Sequence, residues 1–319
     1  MNSEVIKVME ESWDVLIVLD ACRFDFFERL CHEYLPDGEL SCRRSVGSAT
    51  LEWRNRSFTK GYPDIVYVSS NPYINAQQAV MDFNGADHFF KVIDVWNTHW
   101  DKQKGTVPPD AVTHEALRAM QTYPDKRFII HYLQPHAPYL GFGSDCVGFP
   151  TPDISKQRVL RGTAEPKRQL SRRQKLFTRL EPHVKKCTWW SNHPEWFLSQ
   201  LLGLPPRTPL DAVRRKYSHK GLKQAYEENL SLTLKEVARL LQYLRGMIVV
   251  TSDHGELLGE NRCYSHFEQS ENPLLRNIPW WQITKSQTDP LPEIPPEPSN
   301  SANGGNEDIQ QRLHDLGYL

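Results

Sequence analysis

Short apolar runs recur along this chain and are separated by longer segments with helical periodicity. The runs have the length of strands and end at polar turns. They cover residues 15–19, 64–70, 127–132, 247–250 and 278–283, with a weaker candidate at 88–92. Continuous apolar runs of this kind are typical of strands that are buried on both faces of a parallel sheet.

Helical periodicity is clearest at residues 222–244. Apolar residues recur there at intervals of three and four and form one stripe: Tyr226, Leu230, Leu234, Val237, Leu241 and Leu244. Helices are also predicted at residues 51–58 and after the pair Pro108-Pro109. Strands that alternate with helices predict an α/β fold with a mainly parallel sheet.

The distribution of polar residues predicts the domain organisation. Residues 1–283 are expected to form one domain, in which residues 152–221 are a basic insertion over the sheet. Pro, Ser, Asn and Gly dominate residues 284–305, which predicts a flexible linker. Residues 306–319 are expected to form a short C-terminal helix that docks through Ile309, Leu313 and Leu316.

Amino-acid composition and net charge limit the cellular locations and the binding partners that we expect for this chain. The formal net charge of the 319 residues is −1, so the molecule as a whole has no charge excess that would favour nucleic acid or a membrane surface. No apolar stretch approaches the ~20 residues of a transmembrane helix, and residues 1–11 are too polar for a signal peptide. The six cysteines lack zinc-finger spacing, which is typical of free thiols in a reducing compartment. We therefore expect a cytoplasmic location, and the oligomeric state stays open.

Two of the predicted strands end in residues that bind metals. Asp20 follows the strand at 15–19, and Asp253 and His254 follow the strand at 247–250. The carboxyl ends of parallel strands meet at one edge of a sheet, which is where open α/β sheets bind ligands. Carboxylate and imidazole suit a borderline divalent ion. The sequence therefore predicts that Asp20, Asp253 and His254 bind one divalent metal.

Hydroxyl groups lie at the predicted start of the helix at 51–58. Ser48 and Thr50 are both candidates for a nucleophile, because a helix N-terminus favours an alkoxide and a bound anion. Coordination to a metal would lower the pKa of the hydroxyl. Each of the two residues could instead be a helix cap.

Three histidines are candidates for acid–base work or anion binding. His136 lies between two prolines directly after a strand, and His266 lies in a loop shortly after Asp253. Both positions favour a functional role. His131 lies inside an apolar strand, where a core histidine is equally expected.

Taken together, these motifs resemble those of the alkaline phosphatase superfamily, in its sulfatase-like and phosphoglycerol-transferase-like branch. The matching segments lie in order along the chain: Val-Leu-Asp20-Ala-Cys-Arg, Gly-Ser48-Ala-Thr50, Pro135-His136-Ala-Pro-Tyr139, Ala-Tyr226-Glu-Glu-Asn229-Leu, Thr-Ser-Asp253-His254-Gly-Glu256 and His266 with Leu275-Arg-Asn-Ile-Pro-Trp280. The resemblance covers about three quarters of the chain and omits the basic insertion. It implies an alkaline-phosphatase-like mixed, mainly parallel sheet flanked by helices.

The resemblance also implies a chemistry, namely in-line displacement at a phosphate or sulfate ester through a covalent intermediate. The implied metal ligands are Asp20, Thr50, Asp253 and His254. Thr50 is the implied nucleophile and Ser48 the second choice. His136 and His266 would contact the transferred group or protonate the leaving oxygen, and Arg23 would help to neutralise it.

Two departures from the family pattern refine this expectation. Neither Cys22 nor Cys42 lies in a Cys-x-Pro-x-Arg motif, which argues against a formylglycine sulfatase and for an unmodified hydroxyl nucleophile. A full second set of ligands is also missing, so we expect one Zn²⁺ or Mn²⁺, with His131, His136 and His266 able to gather a second ion. The expected substrate is an anionic ester, glycan-linked or lipid-linked.

Two other functions remain open from the sequence. The insertion carries a run of basic residues, which would suit a catalytically silent protein that binds a glycan or polyanion: Lys156, Arg158, Arg161, Lys167, Arg168, Arg172, Arg173, Lys175, Arg179, Lys185 and Lys186. RNA binding is the other alternative, with Trp189 and Trp190 as stacking platforms. We instead expect Trp189, Trp190, Trp196 and Phe197 to form a small satellite core.

Overall fold

The computed structural model describes residues 4–141 and 171–286. Its main sheet has eight strands in the order β1-β3-β10-β7-β2-β6-β4-β5, and a separate hairpin has strands β8 and β9. The strands are β1 (Val5–Ile6), β2 (Val15–Leu19), β3 (Glu39–Ser45), β4 (Tyr62–Ser69), β5 (Phe89–Asp94), β6 (Arg127–Tyr132), β7 (Gly246–Thr251), β8 (Leu257–Leu258), β9 (Tyr264–Ser265) and β10 (Asn277–Lys285).

Helices flank the main sheet. They are α1 (Phe24–Tyr34), α2 (Thr50–Ser57), α3 (Val95–Thr98), α4 (Pro109–Thr122), α5 (Arg172–Val184), α6 (Pro194–Leu201), α7 (Pro209–Leu241) and α8 (Pro273–Arg276). The α7 segment is two helices joined at Ser218, whose φ of 63° and ψ of −173° are not helical. The second of these helices is the one predicted at residues 222–244.

The sheet is mixed and mainly parallel. Strand β2 pairs in parallel with β6 and β7, and β4 pairs in parallel with β5 and β6. Only β10 among the strands of this sheet runs antiparallel, between β3 and β7. The predicted fold class, a mainly parallel sheet flanked by helices, is confirmed.

Strand β2 explains why the central strands are apolar throughout. Ile17 and Leu19 belong to the core on one face of the sheet, whereas Leu16 and Val18 belong to the core on the other. The first core also contains Leu30 of α1 and residues of α4 and α7, and the second contains Trp53 of α2. Since successive side chains of a strand point to opposite faces, both sets must be apolar.

Strand β3 was not predicted. Its sequence, Glu-Leu-Ser-Cys-Arg-Arg-Ser, appeared from composition to be a polar segment, and five of its seven residues are only partly buried. It lies near the edge of the sheet between β1 and β10, so it needs no continuous apolar run. Its position matters because β3 leads directly to the hydroxyl groups at the start of α2.

Parts of the predicted domain organisation lie outside the described residues. These parts are residues 152–170 of the insertion, nearly all of the linker at 284–305 and the C-terminal helix at 306–319. The rest of the insertion forms α5, α6 and the first half of α7. Within the described ranges, no helix is long and apolar enough to cross a membrane.

Candidate active site

The candidate site lies at the carboxyl edge of the parallel strands. Asp20 follows β2, Asn71 follows β4, and Asp253 and His254 follow β7. Strand β3 ends at Ser45, whose hydroxyl donates a hydrogen bond to the carbonyl of Asp253. This bond fixes the chain that leads to Thr50 beside the end of β7. The topology therefore brings together residues that are 233 positions apart in the sequence.

Two buried carboxylates form the centre of the site. Asp20 accepts a hydrogen bond from Asn71 Nδ2 at 2.8 Å, while its Oδ1 is buried and has no hydrogen-bond partner in the described part of the chain. Asp253 accepts the backbone N–H groups of Ala21 and His254 at 3.0 and 2.9 Å. Burial, together with the negative charge of Asp253, raises the pKa of Asp20 well above its usual value.

The pKa of Asp253 moves in the opposite direction. Burial alone would raise it, but the neighbouring imidazoles of His254 and His131 and the hydrogen bonds from Ala21 and Thr50 hold it below its usual value. Two carboxylates in one buried site repel each other when both are ionised. A cation between them would remove that repulsion.

Thr50 is the first residue of α2, and its hydroxyl faces the carboxylates. Thr50 Oγ1 lies 2.8 Å from Asp253 Oδ2 and 3.1 Å from His254 Nε2. His254 Nδ1 lies 2.8 Å from the carbonyl oxygen of Gly255, and a carbonyl can only accept a hydrogen bond. His254 Nδ1 therefore carries the proton, and the lone pair of Nε2 faces Thr50.

Ser48 has a different environment from Thr50. Its hydroxyl lies 2.9 Å from Glu52 Oε2 and 2.8 Å from the carbonyl of Phe267, and it accepts the N–H of Ser270 at 3.0 Å. These contacts connect the start of α2 to the loop that follows His266. Of the two candidate hydroxyls, only that of Thr50 faces the buried carboxylate of Asp253.

Glu52 completes the connection between these two loops. Its Oε2 accepts the N–H groups of Ser48 and Gln269 at 2.8 and 3.1 Å. Glu52→Ala would leave both donors without this acceptor, and we expect it to lower the free energy of unfolding by about 2 kcal/mol. Urea denaturation should measure this loss. Glu33→Ala, at an exposed helical position, is the matched control, and an equal cost in both variants would contradict the prediction.

A second group of ligand-type residues lies beside the first. His136, Glu256 and His266 have ligand atoms within 4.8 Å of one another. Glu256 Oε1 is 3.2 Å from His266 Nδ1, and the rings of His254 and His266 are 4.2 Å apart. Burial would lower the pKa of His266, but the charge of Glu256 outweighs it and raises that pKa. Burial lowers the pKa of His136.

Asn229 of α7 holds the loop that carries His136. Its Nδ2 donates to the carbonyls of Pro135, His136 and Pro138 at 3.4, 3.3 and 2.9 Å, and its Oδ1 accepts the N–H of Leu140 at 2.8 Å. No role for Asn71, Glu256 or Asn229 was assigned from the sequence. Glu256 and Asn229 lie inside the motifs that resemble the family, so the sequence did point to them. For Asn71 the only indication in the sequence was its position after a predicted strand.

Among the described residues, the hydrogen-bond partners of His131 and Arg23 do not include Thr50. His131 Nδ1 is 2.8 Å from the hydroxyl of Tyr67, and its Nε2 is 3.7 Å from Asp20 Oδ2. The guanidinium of Arg23 is buried and donates to Asp25, Glu260 and the carbonyl of Glu256. Because these partners occupy its donors, the geometry favours a role for Arg23 in holding this loop rather than in neutralising a substrate.

The residues fit a divalent metal. Asp20 Oδ1 and His131 Nε2 are buried polar atoms with no hydrogen-bond partner among the described residues. Asp20, His131 and Asp253 have ligand atoms within 4.8 Å of one another, and Thr50 and His254 adjoin Asp253. A set of carboxylate, hydroxyl and imidazole donors suits Zn²⁺ and Mn²⁺ alike and does not distinguish them.

No protein-family model and no curated protein matches this chain. Several solved structures are similar to it. The C-terminal periplasmic domain of phosphoethanolamine transferase EptC from Campylobacter jejuni is 13% identical, with 88% of this chain and 79% of that chain covered and a TM-score of 0.43. The corresponding domain of EcEptC from Escherichia coli, in complex with Zn, is 11% identical, with coverage of 90% and 74% and a TM-score of 0.46.

A third similar structure is a protein in the alkaline phosphatase superfamily from Vibrio parahaemolyticus. It is 11% identical, with 86% of this chain and 60% of that chain covered and a TM-score of 0.40. At these identities the likeness concerns the fold alone. The comparison contradicts the expected cytoplasmic location, because the two domains with a stated compartment are periplasmic. That prediction was wrong. It rested on the spacing of the cysteines and on the polar N-terminus, and neither of these identifies a compartment by itself.

Proposed function

We propose that this chain is a metal-dependent enzyme that hydrolyses or transfers phosphate esters, with Thr50 as the nucleophile. The observation that carries the proposal is the position of Thr50 Oγ1, which lies at the start of α2 and 2.8 Å from Asp253 Oδ2. A hydroxyl that only capped a helix would bond to the N–H groups of its own helix. The hydroxyl of Thr50 instead faces a buried carboxylate and an imidazole.

Asp20, Thr50, Asp253 and His254 would hold the metal. A divalent ion bound there would lower the pKa of the Thr50 hydroxyl and offset the charge of the ester. The N–H groups of the first turn of α2 are the chain's own donors for the anionic group. The preceding strand β3 and the Ser45 contact fix where this helix begins.

The first chemical step forms a bond between Thr50 Oγ1 and phosphorus while the bond from phosphorus to the leaving oxygen breaks. Asp253 Oδ2 already accepts the hydrogen bond of the Thr50 hydroxyl and is placed to take its proton. The leaving oxygen needs a proton, and His266 is the proposed donor because Glu256 raises its pKa. His136 lies beside it, with ring centroids 5.3 Å apart, and is proposed to contact the transferred group.

The second step regenerates Thr50. The oxygen of a water molecule or of an acceptor hydroxyl attacks the phosphothreonine, and the bond from phosphorus to Thr50 Oγ1 breaks. Thr50 Oγ1 then takes back the proton that Asp253 accepted in the first step. His266, now neutral, is placed to accept the proton of the attacking group. The proposed substrates are anionic esters, glycan-linked or lipid-linked, and a hydrolase and a transferase differ only in the acceptor at this step.

Turnover of nitrophenyl phosphate, bis-nitrophenyl phosphate and nitrophenyl sulfate after metal removal tests the proposal. We expect activity on a phosphate ester that is lost with chelator and restored by Zn²⁺ or Mn²⁺. A preference for nitrophenyl sulfate would replace phosphate with sulfate as the substrate class. Metal binding by the folded protein without turnover of any of these esters would contradict the proposal and favour a binding protein.

A further inference from the structure

The described part of the insertion exposes large apolar side chains. Trp189 is 85% exposed and Leu201 is 82% exposed, and Leu176 of α5 is 44% exposed. Only Phe177 of α5 is buried. The expected satellite core is therefore only partly present, because Trp196 is buried and Trp190 packs on Phe197, while Trp189 points to solvent. An exposed apolar side chain alone is common, so the neighbours of these residues decide whether they form a binding surface.

Trp189 and Leu201 are close in the chain to the two partners of one aromatic contact. The rings of Trp190 and Phe197 have centroids 4.5 Å apart. Phe197 and Leu201 are four residues apart on α6, so they share a helix face. Trp189 directly precedes Trp190. We call the surface formed by exposed Trp189, Leu201 and the exposed basic residues of α5 and the turn after it the insertion surface.

The insertion surface is strongly basic. Residues 171–190, which carry its basic side chains, contain six Lys and Arg against one Glu and no Asp, a formal net charge of +5, whereas the whole chain has −1. Exposed basic residues lie along α5 and just after it: Arg172, Arg173, Lys175, Arg179, Lys185 and Lys186. The near-neutral total charge thus conceals a local excess of positive charge, which an anionic membrane surface would attract.

The insertion surface is joined to the candidate active site. Asn192 bonds to both the carbonyl and the N–H of Tyr264, at 2.6 and 2.9 Å, and Ser191 donates to the carbonyl of Arg262 at 2.7 Å. Arg262 and Tyr264 belong to the segment between Glu256 and His266. A partner on the insertion surface would therefore lie next to the segment that carries two of the candidate site residues.

We propose that the insertion surface binds the surface of an anionic lipid membrane. Exposed tryptophan and leucine beside lysine and arginine match an interface that has apolar chains below anionic headgroups. Nucleic acid matches less well, because an exposed leucine has no planar face on which a base can stack. The proposal does not depend on the proposed reaction, since it concerns binding alone.

Sedimentation with lipid vesicles tests the proposal on the full chain. We expect binding to vesicles of equal parts phosphatidylcholine and phosphatidylglycerol, and little binding to phosphatidylcholine alone. Trp189→Ser with Leu201→Ser should weaken the partition coefficient at least about tenfold. Lys175→Glu with Lys186→Glu should weaken it as well, and added salt should weaken binding of the parent protein.

The control removes one aliphatic and one aromatic side chain that are exposed elsewhere, through Met81→Ser with Phe90→Ser. This control should bind the vesicles as the parent protein does. Turnover of a water-soluble nitrophenyl ester, measured on the same preparations, separates loss of binding from loss of catalysis. Absence of vesicle binding, equal loss in the control, or tight binding of homopolymer RNA with no binding of vesicles would overturn the proposal.

Discussion

Thr50→Ala is expected to reduce turnover of a phosphate ester by about 10⁴-fold, because it removes the atom that forms the covalent bond. The metal should still bind, since Asp20, Asp253 and His254 remain. Steady-state turnover of bis-nitrophenyl phosphate, with metal content measured on the same samples, tests this expectation. A loss of metal equal to the loss of activity would mean that the variant is inactive because it lacks the ion, which would contradict this prediction.

Two matched variants give this prediction its control. Thr50→Ser keeps the hydroxyl and should retain turnover within about tenfold. Ser48→Ala removes a buried hydroxyl two residues away that bonds to Phe267 and Ser270, so it should cost stability and affect turnover far less. Acid quench of the parent protein during turnover should leave a phosphoryl group on Thr50 that mass spectrometry detects. A phosphoryl group on Ser48 would reverse the assignment.

The central part of the fold could be predicted from the sequence because burial on both faces leaves a clear pattern. Strands β2, β6 and β7 are apolar at successive positions, and each belongs to both cores. Strand β3 gave no such pattern, because it lies near the sheet edge and five of its seven residues are only partly buried. Its sequence therefore resembled a loop, although its pairing with β10 sets the position of Thr50.

The sequence could predict which residues of the candidate site come together, but it could not predict which of their atoms are in contact. Asp20, Asp253 and His254 follow strands, so their meeting at one edge was expected. The choice between Ser48 and Thr50 depended on which hydroxyl faces Asp253, and two hydroxyls so close in sequence give no local signal of this. Arg23 is a similar case, because its partner Glu260 lies 237 positions away.

The opposing pKa shifts of Asp20 and Asp253 lead to a test of the metal site that does not require activity. The folded-state pKa of Asp20 is raised, so its contribution to stability is fully present below the unfolded-state pKa. That contribution is lost as the pH rises toward the folded-state pKa, because ionised Asp20 is buried beside Asp253. In metal-free protein at neutral pH, Asp20 therefore opposes folding. With a cation bound beside it, ionised Asp20 would instead stabilise the folded state.

Asp20→Asn is therefore expected to have opposite effects without and with metal. The metal-free variant should be more stable than the metal-free parent, because asparagine cannot ionise, and the amide oxygen can still accept from Asn71. With Zn²⁺ or Mn²⁺ at about one hundred times its dissociation constant, the parent should gain about 2.7 kcal/mol, and the variant should lose most of that gain. Thermal and urea unfolding with chelator and with each metal measure both effects, and Asp37→Asn, at an exposed position, is the control that should change neither. If Asp20→Asn lowered the stability of the metal-free protein and left the metal-induced gain intact, Asp20 would be a structural residue, and the ion would have to bind without it.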